Sequence, residues 1–254
     1  MIRGIYTAAM GMLCEQAKVD QTANNLANAQ TTGFKQDRIA FAAHLRRNMV
    51  RVEPEDPFRR KYPIGALETA VLVDEIRPWM AQGGLDQTDH PFDFALDGTG
   101  FFSIQAADGQ IVYTRNGEFK LNANNQLTDS QGNLVLNDAL EPVILNGLFT
   151  VDRNGFINQE GIVTGRLGIV DFENPEMLRK RGDNHYQSTA ISGEPQEDLT
   201  TRVFQGSLEL SNVNVVREMV NLIAAQRHFE ITQRAVMTHD ALMETAINRV
   251  GNVR

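Results

Sequence analysis

Cysteine and long apolar runs are the most conspicuous absences from this sequence. The single cysteine, Cys14, cannot form an internal disulfide or build a tetrahedral cysteine zinc site. A bilayer-spanning helix needs about 20 mostly apolar residues. No segment approaches that, so we expect no membrane insertion. Basic residues are outnumbered, with 24 Lys and Arg against 32 Asp and Glu and a net charge of −8. This balance argues against a nucleic-acid partner bound through counterion release.

The acidic charge is concentrated in the middle of the chain. Residues 1–50 carry a net charge of +3 and residues 211–254 carry +1, whereas residues 51–210 contain 13 bases and 25 acids. The 254 residues are 42% hydrophobic, which is enough to bury a core. Composition therefore predicts a folded protein with two mildly basic ends and an acidic centre.

The N-terminal end has the pattern of a long helix. Apolar or small residues recur in alternating steps of three and four, with Gln16 as the one polar member, which is a heptad seam. The seam comprises Ile2, Ile5, Ala9, Met12, Gln16, Val19, Ala23 and Leu26. Thr31-Thr32-Gly33 is a stop signal, so the helix should end near Ala29.

The C-terminal end repeats this pattern from about residue 214 to residue 250. Its seam contains Val215, Met219, Leu222, Phe229, Val236, Met243, Ile247 and Val250, with Gln226, Gln233 and Asp240 as polar members. A second apolar stripe runs beside it through Val216, Val220 and Ile223. The two seams predict that the terminal helices pair as a coiled coil. The second stripe leaves apolar surface for further copies.

The centre of the chain reads as short strands and turns. We predict strands at 67–78, 92–96, 100–106, 111–115, 118–121, 134–136, 149–151 and 164–172. Asp108-Gly109, Gly132-Asn133 and three Asn-Gly pairs beginning at residues 116, 146 and 154 should form type I′ hairpin turns. The predicted fold is α+β: terminal helices at 1–35 and 211–254, an irregular extended connector at 36–66, and a mostly antiparallel β domain at 67–210.

The sequence contains no residue pattern typical of a catalytic or metal-binding site. The Gly-rich turn Asp97–Gly100 leads into a strand, whereas a phosphate cradle requires a helix N-terminus. The five histidines lack ligand spacing, and Cys14 has no nearby His that would make it a nucleophile. We therefore expect no cofactor, no metal and no enzymatic activity.

Residues 24–35 identify a family. The run Asn24-Asn25-Leu26-Ala27-Asn28-Ala29-Gln30-Thr31-Thr32-Gly33-Phe34-Lys35 resembles the N-terminal signature of bacterial flagellar rod and hook proteins. Residues 205–209, 211–214 and 218–220 resemble the second signature of that family, and residues 97–102 and 113–119 match its β-domain pattern. The matches follow the family order along nearly the whole chain.

The resemblance implies a structural subunit of the flagellar basal-body rod. Such subunits assemble helically with themselves and with other rod and hook axial proteins, and ring proteins surround them. Terminal helices form the inner tube, the β domain lies outside, the connector braces neighbours, and the filament transmits torque to the hook. Export occurs through the flagellar type III apparatus, and we expect no cleaved signal peptide, since Glu15, Lys18 and Asp20 interrupt the apolar N-terminal stretch. The length favours a rod subunit over the longer hook subunits, and residues 5–9 and 90–96 favour the proximal over the distal rod subunit.

The predicted assembly interface combines the signature with the helix seams. Asn24, Asn25 and Asn28 should make inter-subunit or backbone-capping hydrogen bonds, Gly33 should provide a positive-φ helix exit, and Phe34 should anchor the connector. The full predicted set is Ile5, Met12, Val19, Asn24, Asn25, Leu26, Asn28, Gly33, Phe34, Lys35, Ser211, Asn212, Val213, Asn214, Met219, Leu222, Gln226, Arg227, Phe229, Glu230 and Val236.

Two other classes stay open at the level of sequence. One is an enzyme, for instance a peptidoglycan hydrolase joined to a rod domain. The other is a soluble adaptor that binds one partner through a helical hairpin. Open-ended filaments would favour the rod subunit, whereas a defined dimer or 1:1 complex would favour the adaptor.

Overall fold

The computed structural model describes residues 2–52 and 61–250. Contacts divide the chain into two compact units. Unit 1 is drawn from Met1–Asn24, Arg38–Ile76 and Val216–Arg254, and unit 2 from Asn25–Asp37 and Arg77–Val215. These limits differ from the predicted domains, because the signature segment after residue 24 belongs to the β-rich unit and much of the predicted connector belongs with the helices.

Unit 1 contains most of both long helices. Helix α1 (Ile2–Ala27) has 26 residues and helix α2 (Val215–Val250) has 36, so both sequence-predicted helices are present with ends within two residues of those expected. The chain between the two segments of unit 2 forms two long strands, β1 (Asp37–Val52) and β2 (Lys61–Pro78), which pair as a two-stranded sheet.

These two strands correct the prediction of an irregular connector at 36–66. Alternating apolar and polar residues such as Ile39, Phe41 and Tyr62 suit a strand pair, and the prolines and the basic cluster obscured that pattern in the sequence. Pro54, Pro57, Arg59 and Arg60 of the connector lie outside the described residues.

Unit 2 is built from short strands. They are β3 (Leu85–Gln87), β4 (Phe94–Asp97), β5 (Phe101–Gln105), β6 (Ile111–Thr114), β7 (Lys120–Leu121), β8 (Leu127–Thr128), β9 (Leu134–Val135), β10 (Phe149–Val151), β11 (Phe156–Gln159), β12 (Ile162–Arg166), β13 (Ile169–Asp171), β14 (Arg179–Gly182), β15 (His185–Gln187), β16 (Gln196–Glu197), β17 (Arg202–Gln205) and β18 (Ser207–Glu209). A single 3₁₀ turn spans Pro175–Met177 among these strands.

The largest sheet of unit 2 has the order β14-β15-β6-β5-β9-β8-β7, and β13 joins it by pairing with both β5 and β16. Strands β10-β11-β12 form a second sheet, and β17-β4 and β18-β3 form two-stranded sheets. Every pair in unit 2 whose register is described is antiparallel. The fold class is therefore α+β, as predicted.

The core of unit 2 has two apolar clusters on opposite faces of β5. Phe102 and Ile104 point into the larger cluster with Phe94 and Phe119, whereas Phe101 points into a smaller cluster that contains Tyr186. This alternation is the period-two pattern of a strand that is buried on both faces.

None of the five predicted type I′ turns has that geometry: at Asn116-Gly117 neither residue has positive φ, and at Gly132-Asn133 only the glycine does. In Asp108-Gly109, Asn146-Gly147 and Asn154-Gly155 only the glycine has positive φ, whereas a type I′ turn needs positive φ at both central residues. At Asn154-Gly155 the amide of Gly155 bonds to the carbonyl of Asp152, as in a type I turn followed by a left-handed glycine. Glu160-Gly161, not predicted as a turn, does have two positive φ values and links the paired residues Gln159 and Ile162.

Candidate functional site: a buried charged junction and an apolar helix face

Three separate segments of unit 2 meet at one junction: the chain that follows α1 (25–37), the chain that follows β2 (79–84) and the chain that precedes α2 (205–214). Backbone hydrogen bonds join them. The amide of Gly33 donates to the carbonyl of Glu209 at 2.7 Å, and that of Trp79 donates to the carbonyl of Gln36 at 2.7 Å. We call this region the junction.

The centre of the junction is a buried ionic cluster. Lys35 Nζ lies 2.5 Å from Glu209 Oε1, and Arg115 Nη1 lies 3.5 Å from Glu209 Oε2. The three side chains are exposed by only 1%, 0% and 2% for Lys35, Glu209 and Arg115, respectively. One carboxylate therefore compensates two buried cations.

The remaining polar atoms of the cluster bond mainly to backbone. Glu209 Oε1 also accepts the amide of Gly83 at 2.8 Å, and Lys35 Nζ donates to the carbonyl of Ala81 at 3.0 Å. Arg115 Nη2 donates to the carbonyl of Gly98 at 2.8 Å. These hydrogen bonds offset part of the cost of burying the charges, and Arg115 Nε is left without a hydrogen-bond partner among the described residues.

Burial acts against the charge on both cations of this cluster. It lowers the pKa of Lys35, and the neighbouring Glu209 opposes that effect. Burial likewise lowers the pKa of Arg115, again opposed by Glu209. The guanidinium of Arg115 also lies 4.8 Å from the centre of the Phe101 ring, which adds a cation–π contact. Glu209 is thus the group that favours the ionised state of both cations.

Two asparagine side chains bridge backbone across the junction. The buried Asn25 donates from Nδ2 to the carbonyl of Asp37 at 3.0 Å and accepts the amide of Asp37 at 2.9 Å. Asn212 accepts the amide of Gln36 at 2.8 Å and donates to the carbonyls of Trp79 and Ala81, each at 2.8 Å. Asparagine suits both positions because its amide presents a donor and an acceptor at once.

Gly33 is required by both conformation and space. Its φ is +65°, which confirms the predicted positive-φ residue after α1. A Cβ at this position would lie 2.5 Å from the carbonyl carbon of Arg115, which no relaxed contact allows. The junction therefore brings this turn directly against the backbone of the residue that carries the buried guanidinium.

The side chains of Phe34 and Lys180 contact each other at the edge of the junction. Phe34 is 7% exposed, and Lys180 Nζ lies 4.3 Å from the centre of its ring. The same ammonium lies 2.8 Å from Asp37 Oδ1 and donates to the carbonyl of Lys35 at 2.9 Å. Burial lowers the pKa of Lys180, and the hydrogen bond to Asp37 opposes the shift.

The two helices contact each other within unit 1 through a different stripe from the one predicted for α1. A Cβ on Gly4 would lie 3.3 Å from the His239 ring, and a Cβ on Gly11 would lie 3.7 Å from Thr232. Glu15 Oε1 lies 3.9 Å from His228 Nδ1. These pairs run in opposite directions along the two helices, so the contact is antiparallel.

The predicted seam of α1 needs correction for this reason. The contacting positions Gly4, Gly11 and Glu15 lie beside the predicted members Ile5, Met12 and Gln16, one residue earlier in each case. Small residues let two helix backbones approach closely, so glycines occupy a contact that the apolar count assigned to larger neighbours. Ile5, Met12 and Val19 are half-buried.

The buried stripe of α2 also differs from its predicted seam. It consists of buried or half-buried residues in alternating steps of four and three: Glu218, Leu222, Ala225, Phe229, Thr232, Val236, His239, Met243 and Ala246. It shares four members with the predicted seam. Met219, by contrast, is 48% exposed, because the stripe that is buried in the monomer passes through Glu218.

One face of α2 is both apolar and exposed. Val216 is 72% exposed, Val220 61% and Ile223 52%. These three residues, the predicted second stripe, form what we call the exposed α2 stripe. Apolar residues at this spacing are unusual on a helix face that remains in water.

Comparison with known proteins adds the decisive observation. The family description "Flagella basal body rod protein" matches residues 5–35, "Flagellar hook protein FlgE/F/G D1 domain" matches 95–165, and "Flagellar basal body rod FlgEFG protein C-terminal" matches 205–249. The flagellar basal-body rod protein FlgG of Borreliella burgdorferi is 34% identical over 98% of both chains. The chain belongs to the flagellar basal-body rod protein family.

Relatives with other names match equally well. The rod protein FlgF of Caulobacter vibrioides is 32% identical and the hook-basal body complex protein FlhO of Bacillus subtilis is 31% identical, each over the full length of both chains. Because FlgG and FlgF match at similar identity, the preference for a proximal rod subunit stays a prediction.

The three regions that match the rod family each contribute one charge to the junction. Lys35 lies in the first matched region, Arg115 in the second and Glu209 in the third. Arg115, Glu209 and Lys180 were not among the predicted site residues. The signal that could have found them is a charged residue set within an apolar strand pattern, although their partners lie 94 to 174 residues away in sequence.

The predicted interface residues fall into three groups of exposure. Buried members are Asn25, Gly33, Phe34, Lys35 and Val213; half-buried members are Ile5, Met12, Val19, Leu26, Asn28, Ser211, Asn212, Leu222, Phe229 and Val236; exposed members are Asn24, Asn214, Met219, Gln226, Arg227 and Glu230. The buried side chains contact their own chain, so a direct contact between subunits stays a prediction for the accessible ones.

Within residues 2–52 and 61–250, no group of three His, Cys, Asp or Glu side chains is placed to hold a metal ion. Over the same ranges, neither helix combines the length and the apolar character that crossing a bilayer requires.

Proposed function

We propose that this chain is a structural subunit of the flagellar basal-body rod and that it assembles helically with copies of itself and with other rod and hook axial proteins. The named relatives are basal-body rod proteins along their full length. The proposed role is mechanical: the assembled subunits transmit torque to the hook, and the chain has no catalytic activity.

The observation that carries this proposal is the exposed α2 stripe. Val216, Val220 and Ile223 expose large apolar side chains beside the stripe that faces α1. Burying apolar surface contributes about 25 cal/mol per Å², so a second helix that covered this face would stabilise association. Repetition of one such contact with a rotation that does not close generates a helical filament.

We further propose that α1 and α2 pair as a coiled coil, that the helices form the inner tube of the filament, and that unit 2 forms its outer layer. The heptad spacing of the buried α2 stripe supports the first part. The acidic, compact character of unit 2 supports the last part. The strand pair β1–β2 then lies where it can brace a neighbouring subunit.

Export through the flagellar type III apparatus, without cleavage of a signal peptide, completes the proposal. A basal-body rod lies across the periplasm, so its subunits must cross the inner membrane. Mass spectrometry of the protein recovered from isolated basal bodies tests this part. An intact N-terminal peptide is expected, whereas a peptide beginning after Ala29 would contradict the proposal.

Substitution in the exposed α2 stripe tests assembly directly. Val220→Asp places a charge in a face that must be desolvated between subunits, so we expect loss of filament formation and of motility in a complemented deletion strain. Ala235→Asp is the matched control, because it adds the same charge to an exposed position of the same helix that lies outside both the exposed α2 stripe and the predicted interface.

Sedimentation separates the outcomes of this experiment. Open-ended particles from the parent and the Ala235→Asp protein, with a monomer from Val220→Asp, support the rod subunit. A discrete dimer that persists in all three proteins would contradict it and favour the adaptor.

A further inference from the structure

Unit 2 contains a cavity that neither the junction nor the helices use. Its volume is about 230 Å³. The wall is mostly apolar and includes Ile111, Tyr113, Leu167, Val170 and Pro195. An apolar concavity with a few polar groups is the usual form of a binding site.

A polar atom without a partner lies in this wall. Ser103 is 1% exposed, and its Oγ makes no hydrogen bond within the described residues. A buried hydroxyl in that state is unfavourable, and native proteins contain only a few such groups. An incoming peptide group could supply the missing partner, since a hydroxyl both donates and accepts.

A residue at the opening of the cavity, which we call its lip, has a strained backbone conformation. Leu140 lines the opening with φ at +61° and is 56% exposed. Its amide donates to the carbonyl of Asn137 at 3.1 Å, in a tight turn that glycine or asparagine would adopt without strain. A large apolar side chain in water and in a left-handed conformation is doubly unfavourable, and such residues gather at functional sites.

The charge around the opening is negative. Asp138 and Glu197 line the cavity, and residues 77–215 hold 9 Lys and Arg against 19 Asp and Glu. Glu197 is paired with Arg166 at 2.6 Å, so Asp138 is the acid left to face an incoming group. A cation is the complementary ligand.

We propose that this cavity binds a polypeptide segment in which an apolar side chain adjoins Lys or Arg. The apolar side chain packs between Leu140 and Val170, a peptide group of the ligand bonds to Ser103 Oγ, and the cation lies at Asp138. This inference goes beyond the proposed function and does not depend on assembly.

The test is a titration of the full-length, isotopically labelled protein with N-acetyl-Phe-Arg-amide, followed by amide NMR shifts. A ligand of this size should bind with a Kd of about 1 mM. We expect saturable shifts confined to amides around Ser103, Leu140 and Val170, and weaker binding of N-acetyl-Phe-Glu-amide. No saturable shift up to about 10 mM, equal binding of both dipeptides, or shifts spread across the protein would each overturn the proposal.

Leu140→Gly separates binding from a purely structural role. It relieves the left-handed strain, so the melting temperature should rise, but it removes the lip and should weaken the dipeptide about tenfold. Glu160→Gly is the matched control, because Glu160 is also exposed and left-handed, at φ +51°. It should raise the melting temperature and leave affinity unchanged. Full affinity in Leu140→Gly would overturn the proposal.

Asp138→Lys tests the charge at the opening. We expect it to reverse the preference, so that the Glu-containing dipeptide binds more tightly than the Arg-containing one. An unchanged preference would overturn the assignment of the cation to this position and, with it, the stated chemistry of the partner.

Discussion

The junction of unit 2 and the helix pair of unit 1 differ in what they bury and what they expose. The junction buries Lys35, Arg115 and Glu209 almost completely, whereas α2 exposes Val216 and Val220 to water. Unit 2 compensates these buried charges with its own residues. A helix that leaves apolar residues in water gains stability when another surface covers them. The contrast separates residues that maintain the subunit from residues that we propose join subunits.

Removal of the junction carboxylate should have the largest effect on stability. Glu209→Gln leaves two buried cations without a counter-charge, and loss of one partner from a buried ion pair costs about 3–5 kcal/mol. Urea denaturation followed by the fluorescence of Trp79, the single tryptophan, measures the free energy of unfolding of unit 2.

Glu197→Gln provides the control for this measurement. Glu197 also pairs with an arginine, but its side chain is 60% exposed, so the loss should be about 1 kcal/mol or less. Equal losses at the two positions would show that burial of the junction charges has no special role.

Gly33→Ala should have the next largest effect. The substitution forces a left-handed conformation on alanine and places its Cβ against the backbone of Arg115, for a combined cost of about 3 kcal/mol. Gly109→Ala is matched in conformation, with φ at +80°, but its Cβ meets nothing within 4 Å. We expect a cost of about 1 kcal/mol there. Similar melting temperatures for the two variants would contradict the close approach.

The sequence predicts the local parts of this fold well and the junction poorly. Heptad spacing and Thr31-Thr32-Gly33 predict α1 and its end, because these signals lie within a few residues of the structure they specify. The ionic cluster joins residues up to 174 positions apart, and no local pattern encodes such a pairing. The same reason explains why β18 and β3 were missed, since short strands acquire their pairing from distant chain.

The α1 seam shows a second limit of sequence patterns. Counting apolar residues selects Ile5 and Met12, yet Gly4 and Gly11 make the helix contact. Close packing depends on shape as well as on hydrophobicity, and glycine carries no apolar signal. The signature residues show a third limit, because their recurrence in a motif is equally consistent with holding a fold and with binding a neighbour.

A buried carboxylate held by hydrogen bonds gives unit 2 an acid-sensitive contact of intermediate size. Burial raises the pKa of Asp129, but hydrogen bonds from His185 and from Asn133 outweigh it and hold the pKa below the ordinary value of 3.8. His185 Nε2 lies 2.9 Å from Asp129 Oδ2. A lowered carboxyl pKa contributes stability that is present above pH 3.8 and is lost as pH falls through the folded-state value.

Asp129→Asn should therefore destabilise unit 2 by about 1–2 kcal/mol at pH 7, and the difference from the parent should shrink as the pH falls through the lowered folded-state pKa of Asp129. Thermal unfolding from pH 7 to pH 2.5 measures this. Asp86→Asn, at an exposed position in β3, should give a difference that stays near zero over the same range. A parent–variant difference for Asp129 that is independent of pH would contradict this account.

The smallest expected effect on stability comes from replacing Lys18 of α1 by methionine. The same substitution at Lys35 of the junction then compares the two units directly. Lys18 in α1 lies 2.9 Å from Glu15 Oε1 and 5.2 Å from the Phe41 ring centre, with 40% of its side chain exposed. An exposed ion pair three residues apart on a helix contributes about 0.3–0.5 kcal/mol. Lys18→Met retains the apolar stem, so it should cost less than about 1 kcal/mol.

Lys35→Met makes the same change in the junction, where the ammonium is 1% exposed and bonds to both Glu209 and the carbonyl of Ala81. Arg115 still compensates Glu209 in that variant, so the loss should be about 2–3 kcal/mol, smaller than for Glu209→Gln. Helicity and Trp79 fluorescence, followed together during denaturation, report on both variants. If Lys18→Met destabilised the protein as much as Lys35→Met, a charge on the helix pair would matter as much as one in the junction, and the division of roles between the two units would fail.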